Sequence, residues 1–441
     1  MKKLWDNIKK KTDGKDVLIL GFGREGRSTL NVLEKYCSCR SISVSDMNKP
    51  ECAYNAIYGS DYQKGLDRFD VIIKSPGVVL EDNSLISKIT SQSEMFLETM
   101  RDNVIGITGT KGKSTTATLL YHILKNKHKA VLMGNIGIPP FDAAEYADED
   151  SLFVYELSSH QLEYTDVSPK RAVYINLYPE HLDHYGTFEK YRAAKENIYR
   201  YQKEGDCLWC DSSLVPENST AEIITASVSD REAMVFIDGR DIHSPMGDIT
   251  VKETDTVLPG LHNVHNIGIV YDICRRMGFS DDEFFTYLKT YKPLPHRLEY
   301  VGTVNGVKYF DDSISTICET AVQALMSIEN IQTVLIGGMD RGIDYSPLCE
   351  YLIKHPPENI ILMYDTGRRI YEMLKNEIPQ HLIPAEDLKE AVRKAVEVTT
   401  PGHSCILSPA AASYGFFKNF EERGEKFREY VKIFTGNEPE K

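Results

Sequence analysis

No window of this 441-residue sequence approaches the ~18 consecutive apolar residues that a membrane-crossing helix needs, so no membrane partner is expected. A cationic surplus is missing too. Lys and Arg number 51 against 65 Asp and Glu, a net charge of −14, which disfavours nucleic acid as a partner. Nucleotides stay open, because loops and helix ends bind them locally. The basic opening MKKLWDNIKKK lacks the apolar run of a secretion signal. Cysteines number nine, an odd count, and lie in apolar segments such as those around Cys274, Cys349 and Cys405. That fits reduced thiols and a cytoplasmic location better than a disulfide framework. Cys207-Leu-Trp-Cys210 has no second pair at zinc spacing, and its alternation reads as a strand. The remainder is ordinary for a globular protein, 41% apolar and 26% charged. The length exceeds what one core usually supports, so two or three domains are expected.

The most informative stretch is 103–124. Val104 to Thr108 is apolar and rich in β-branched residues, as a buried strand is; Gly109, Thr110, Lys111 and Gly112 form a loop, and Lys113, Ser114 and Thr115 open an apolar helix. Strand, glycine loop and helix N-terminus together make an anion cradle, since unpaired N–H groups converge with the positive end of the helix dipole. Lys113 would reach the β/γ-phosphates of ATP, and Ser114 or Thr115 would place a hydroxyl on Mg²⁺. Ile107 stands where the general phosphate-loop pattern has its first glycine, so this loop is a variant beginning at Gly109.

Upstream, the strand Asp16–Leu20 leads into Gly21-Phe-Gly23-Arg24-Glu25-Gly26 and a helix, the G-x-G-x-x-G fingerprint in its proper setting. Asp46 ends the next strand, where it could meet a ribose hydroxyl. NAD is one reading, but any nucleotide diphosphate satisfies the same physics. The turn Ser75-Pro76-Gly77 ends a further strand and is either a ligand contact or a plain turn. A boundary is expected near residues 95–102.

Strands at 130–133, 152–156 and 172–177 follow, spaced for a parallel sheet. Their carboxyl ends carry Asn135, then Glu156 with Ser158, Ser159 and His160, then Asn176 with Glu180, His181, Asp183 and His184. Glu156 is placed like a second Mg²⁺ ligand. His181 serves a metal or the chemistry, or else forms a zinc site with Asp183 and His184, or these are polar caps. Lys195, on a helix capped by Thr187, reads by spacing alone as solvated. Asn266 opens an apolar helix and either reaches a nucleotide or caps the helix. Residues 205–258 read as short strands and loops. Lys292-Pro-Leu-Pro-His-Arg297 is a stiff connector, and 298–312 a hairpin around Asn305-Gly306. Further strands at 334–338, 360–363 and 405–407 complete an α/β protein of three units. These are a Rossmann-like N-terminal unit, a central P-loop ATPase-like parallel sheet and a C-terminal Rossmann-like unit.

Taken in order, Gly109 to Ser114, Gly134-Asn135-Ile-Gly137, Glu156-Leu-Ser-Ser159, Asn176 through Asp183, Tyr191-Arg-Ala-Ala-Lys195, Gly260 to Asn266, His296-Arg297, Asp312-Ser313, Ser408-Pro-Ala and Phe417 to Gly424 resemble the blocks of the Mur ligase family over nearly the whole chain. The resemblance implies a UDP-substrate domain over 1–97, a central ATP-binding domain over 98–295 and an amino-acid-binding domain over 296–441. It implies ATP-dependent addition of glutamate, D-glutamate first, to UDP-N-acetylmuramoyl-L-alanine through an acyl phosphate, in cytoplasmic peptidoglycan synthesis, by a monomer using a pair of Mg²⁺ ions. Its implied UDP-substrate residues are Gly23, Arg24, Glu25, Gly26, Asp46, Ser75 and Asn135. ATP would be held by Gly109 to Thr115, Asn266, Arg297 and Asp312, and metal by Ser114, Glu156, His181 and Lys195. Lys195 would be an N-carbamate, and with Lys113 and His181 would be catalytic. Thr316, Arg341, Ser413 and Phe420 would hold the amino acid. The sequence departs from the family at Ile314 and Ile317, where lysine and asparagine are usual, at Arg341 for lysine, at Gly415 for an acidic residue, and at Arg24, Glu25 and Met47 in the UDP site. Rival readings are an L-glutamate-adding or folylpolyglutamate-type ligase, an NAD-dependent oxidoreductase and a non-catalytic nucleotide-binding regulator.

Overall fold

The structure is a computed structural model that describes residues 1–179, 181–258, 260–293 and 295–439, with the backbone alone at 182, 183, 319, 323 and 327. Packing divides the chain into two compact units, Met1–Tyr291 and Lys292–Lys441.

The first unit holds two sheets. One has five parallel strands, β1 (Asp16–Leu20), β2 (Ser41–Asp46), β3 (Asn55–Tyr58), β4 (Val71–Lys74) and β5 (Ile89–Thr90), in the order β3-β2-β1-β4-β5. Strand order reverses between β1 and β4, so their carboxyl ends open a crevice where ligands bind in such sheets. The second sheet comprises β6 (Val104–Thr108), β7 (Ala130–Gly134), β8 (Leu152–Glu156), β9 (Arg171–Tyr174), β10 (Cys207–Asp211), β11 (Glu222–Ser227), β12 (Val235–Asp238), β13 (Asp241–Ser244) and β14 (Gly247–Thr250). Its order is β14-β13-β12-β11-β10-β9-β6-β8-β7, parallel except for the β12-β13-β14 meander. One apolar core runs from Val17, Val44 and Val71 of the first sheet through Phe96 to Phe153 and Tyr155 of the second. The helix Gln92–Met100, capped by the Ser91 hydroxyl, sits where the sequence predicts a boundary, and Phe96 makes edge contacts to Phe153 and Tyr155. Burial on both faces explains why these strands read as continuous apolar runs.

The second unit is a six-stranded sheet: β15 (Glu299–Val304), β16 (Val307–Asp311), β17 (Ile331–Gly337), β18 (Asn359–Met363), β19 (Leu382–Ala385) and β20 (Ser404–Leu407), ordered β15-β16-β20-β17-β18-β19. β15 and β16 form the expected hairpin, with Asn305 and Gly306 at φ 52° and 79°, the left-handed pair a tight primed turn demands. All other pairings are parallel.

Candidate active site

β6 lies between β8 and β9, so their carboxyl ends bring the glycine loop, Glu156 and Asn176 together. Gly112, at φ 81°, caps the helix Lys113–Leu124. A Cβ there would come 3.0 Å from the Asn266 amide, so Asn266 packs on the loop. Asn266 is the sixth residue of the helix Leu261–Arg276, whose N-cap is Gly260, and the capping alternative for it falls. The Asn176 side chain shapes the loop, its Oδ1 accepting from the N–H groups of Thr110 (3.0 Å) and Lys111 (2.8 Å).

Two cations meet on one carbonyl. Lys113 Nζ donates to the Gly109 and Thr110 oxygens, both at 2.9 Å, and Lys195 Nζ donates to the same Gly109 oxygen at 2.7 Å. Lys195 is 1% exposed, its ammonium 5.0 Å from the Tyr191 ring centroid, which corrects the solvated reading. The helix Phe188–Glu196 turns its Tyr191, Ala194 and Lys195 face inward. Glu156 is wholly buried; Oε1 accepts from the Asn135 amide at 2.8 Å, and among the described residues Oε2 has no hydrogen-bond partner. An orphaned, buried carboxylate oxygen costs free energy unless a cation or donor meets it, so this donor set fits Mg²⁺. Ser114 and Thr115 follow Lys113 in the first helical turn after β6, the strand that pairs with the one Glu156 ends.

His181 lies at φ 54°, and the His160 ring is 5.0 Å from its ring and 4.3 Å from that of His184. Burial, reinforced by His181, His184, Lys74 and Lys195, drives the His160 pKa down to about 3, which keeps it neutral. His184 Nε2 pairs with Glu163 at 3.0 Å, and among the described residues the histidines do not group as zinc ligands. Glu180 and the Asp183 side chain lie outside the described residues.

At the first crevice, a Cβ on Gly26 would come 2.2 Å from the Gly21 carbonyl, whereas Gly23 has open space around it. Ser75 Oγ donates to the Gly21 carbonyl at 2.7 Å, joining the two strand ends. Asp46 accepts from the N–H groups of Phe22 (2.7 Å) and Asn48 (2.8 Å). Arg24 donates to the Gly137 carbonyl at 2.8 Å, and Glu25 accepts from Gln161 at 2.8 Å. Arg24 thus bonds the loop after β7, and Glu25 the short helix Ser159–Leu162 that follows Glu156. Burial raises Glu25 to about 7 against the pull of Gln161 and Lys74. Sequence reasoning missed Lys74, which is 4% exposed and lies 5.1 Å from the Tyr164 ring centroid. Burial lowers it to about 8. Its only signal is a charged residue ending an apolar strand.

In the second unit the strand ends of β16, β17 and β20 gather their own cluster. Asp312, 2% exposed, accepts from Ser408 Oγ (2.8 Å) and the Leu298 N–H (3.2 Å). Burial lifts it to about 7 despite hydrogen bonds from Ser315, Ser408 and Leu298 and the charge of Arg297. Arg341 donates to the Thr316 carbonyl at 2.9 Å. Ser413, 3% exposed, accepts at its carbonyl from the Phe417 N–H at 3.0 Å, and Phe420 opens the helix Phe420–Thr435. Arg423, given no role by the sequence, is fully buried and donates to Ser313 Oγ (3.0 Å), the Ser313 carbonyl (2.8 Å) and the Ala411 carbonyl (2.9 Å). A Gly-interrupted charged helix was the sole hint of it.

Comparison with known proteins agrees with this geometry. The Mur ligase middle domain model matches residues 107–272. The UDP-N-acetylmuramoylalanine--D-glutamate ligase of Lactobacillus acidophilus is 32% identical over 449 residues, covering 95% of this chain and 97% of that protein. That of Clostridium kluyveri is 31% identical over 463 residues, covering 98% and 99%. Among solved structures, UDP-N-acetylmuramate-alanine ligase MurC of Thermotoga maritima matches with a TM-score of 0.52 at 17% identity, covering 95% of this chain and 99% of that one. MurF ligase of Thermotoga maritima, in complex with ADP, matches at 0.51 and 17%, covering 99% of each. The two structures speak for the fold alone. Relatives above 30% identity along nearly the whole of both chains carry the conclusion: this chain belongs to the Mur ligase family.

Proposed function

We propose that this chain is an ATP-dependent ligase that adds D-glutamate to UDP-N-acetylmuramoyl-L-alanine, as the names of its relatives describe. The observation that carries the reading is the meeting of Lys113 and Lys195 on the Gly109 carbonyl. That places Lys113 at the glycine loop beside a helix N-terminus, where phosphate oxygens bind, and Lys195 at the same loop edge. A carboxylate does not acylate an amine unaided, because oxide is a poor leaving group; phosphorylation by ATP makes that oxygen leave as phosphate. Lys113 exchanges its loop carbonyls for the terminal phosphates and stabilises the transferring group. Glu156, Ser114, His181 and Lys195, the last as an N-carbamate, would hold Mg²⁺, which when bound neutralises charge on the triphosphate. Glutamate then attacks the acyl phosphate, with His181 beside the amine proton. The fingerprint crevice from Gly23 to Ser75 takes the UDP moiety, with Asn135 toward the sugar side. Asn266, Arg297 and Asp312 serve ATP, and Thr316, Arg341, Ser413 and Phe420 the amino acid. This work falls to three domains, 1–97, 98–295 and 296–441, and the acyl phosphate must be kept from water, which would hydrolyse it.

Phosphate release from Mg²⁺-ATP tests the reading. Release should require both the sugar nucleotide and D-glutamate, and Lys113→Ala should abolish it. A preference for L-glutamate would overturn the stereochemistry. Release without the sugar nucleotide, or quenching of nicotinamide fluorescence on titration, would overturn the reaction itself.

A further inference from the structure

Arg297 stands between two residues in left-handed backbone: His296 has φ 60° and Leu298 has φ 46°. That conformation is uncommon away from glycine and costly for a residue as bulky as leucine, so it persists only where surrounding bonds hold it. Such bonds surround this turn. The His296 N–H donates to the Glu299 carboxylate at 2.8 Å, the Leu298 N–H to Asp312 at 3.2 Å, and the Ile314 N–H to the His296 carbonyl at 3.1 Å. His296 Nδ1 lies 2.7 Å from Asp311 Oδ2, with Asp311 wholly buried and His296 5% exposed. Gly424 packs directly on that pair: a Cβ would come 2.1 Å from Nδ1 and 2.5 Å from the Asp311 oxygen.

Arg428, from the same helix as Gly424, closes the network. Its Nη2 donates to Glu299 Oε2 at 2.5 Å and to Asp311 Oδ2 at 3.1 Å. His296, Glu299 and Asp311 are close enough to share a metal ion, but the Arg428 guanidinium already supplies the positive charge between the two carboxylates. Removing it would leave those carboxylates facing each other beside the turn they hold.

We propose that Arg428, acting through Glu299 and Asp311, is a positioning residue that locks the turn 296–298 and fixes the direction in which Arg297 is presented to the phosphates of ATP. The proposal rests on Arg297 binding ATP, as read above. A small error in the placement of a phosphate-binding guanidinium is enough to slow phosphoryl transfer strongly.

The test is steady-state phosphate release by the full chain, with melting temperature followed in parallel. Arg428→Met and Asp311→Asn should each lower kcat about 10-fold or more, leaving KM for the sugar nucleotide unchanged, and Arg428→Lys should recover part of the loss. In an Arg297→Lys background, Arg428→Met should add no further loss, because there is no guanidinium left to aim. Wild-type kcat in both single variants, or losses that multiply in the Arg297→Lys background, would overturn the proposal. An Arg297→Lys enzyme with undiminished kcat would instead sink the ATP assignment of Arg297, and the proposal with it.

Discussion

A carboxyl buried at a strand end destabilises the fold at neutral pH, and Asp312 is such a group. Its pKa rises from 3.8 to about 7 because burial outweighs the hydrogen bonds it accepts. The folded state therefore binds a proton that the unfolded chain releases. The penalty is complete above the folded value and is relieved as pH falls from about 7 toward 3.8, by up to ~1.4 kcal/mol per pH unit. Asp312→Asn keeps the shape and an acceptor for the Leu298 N–H without the charge. It should raise the melting temperature of the second unit at pH 8 far more than at pH 5, while the ATP role proposed for Asp312 predicts lower activity. Melting curves at the two pH values check this, and an equal shift at both would contradict it. Lys195 teaches a related lesson. Nothing in Tyr191-Arg-Ala-Ala-Lys195 distinguishes an inward lysine from an outward one, because burial is set by the neighbouring Gly109 carbonyl, 86 residues away in sequence. Lys74 and Arg423 stayed illegible for the same reason, while Glu156 was legible because it ends an apolar strand.

At the scale of elements, the glycines of the fingerprint divide into two kinds. Gly26 is needed for packing of helix on strand, since a Cβ would strike the Gly21 carbonyl at 2.2 Å. Gly23 has ordinary negative φ and open space, so its missing side chain serves the approach of something else. Gly26→Ala should therefore destabilise the chain by roughly 1–3 kcal/mol. Gly23→Ala should leave the melting temperature unchanged and raise KM for the sugar nucleotide. Unfolding curves and substrate titrations separate the two, and a Gly23→Ala protein of normal KM would remove the crevice from the UDP site. Elements of this kind read well from sequence because strand, glycine turn and helix each leave a local signature, as with β1, β6 and the Asn305-Gly306 hairpin. The β12-β13-β14 meander was visible only as short strands, since its antiparallel order depends on pairing partners rather than on periodicity. Arg24 and Glu25, which the family resemblance assigns to the sugar nucleotide, also bond the Gly137 carbonyl and Gln161, partners more than 100 residues away that no local motif shows.

For the whole molecule, the decisive fact is that packing separates Met1–Tyr291 from Lys292–Lys441, while one apolar core ties the first two sheets together. Chains built of separate cores need not unfold in a single step. Calorimetry of the full chain should resolve two transitions. Mg²⁺-ATP should raise the one belonging to the first unit, which holds the glycine loop and Glu156, since a ligand stabilises the state that binds it by RT ln(1 + [L]/Kd). Glu156→Gln removes the charge of a carboxylate whose second buried oxygen has no hydrogen-bond partner among the described residues. It should hold or raise that transition without ligand and abolish most of its response to Mg²⁺. Asp312→Asn should move the other transition alone. A single transition that shifts as a whole in both variants would show that the two units unfold as one, and the assignment of stability to separate cores would fail.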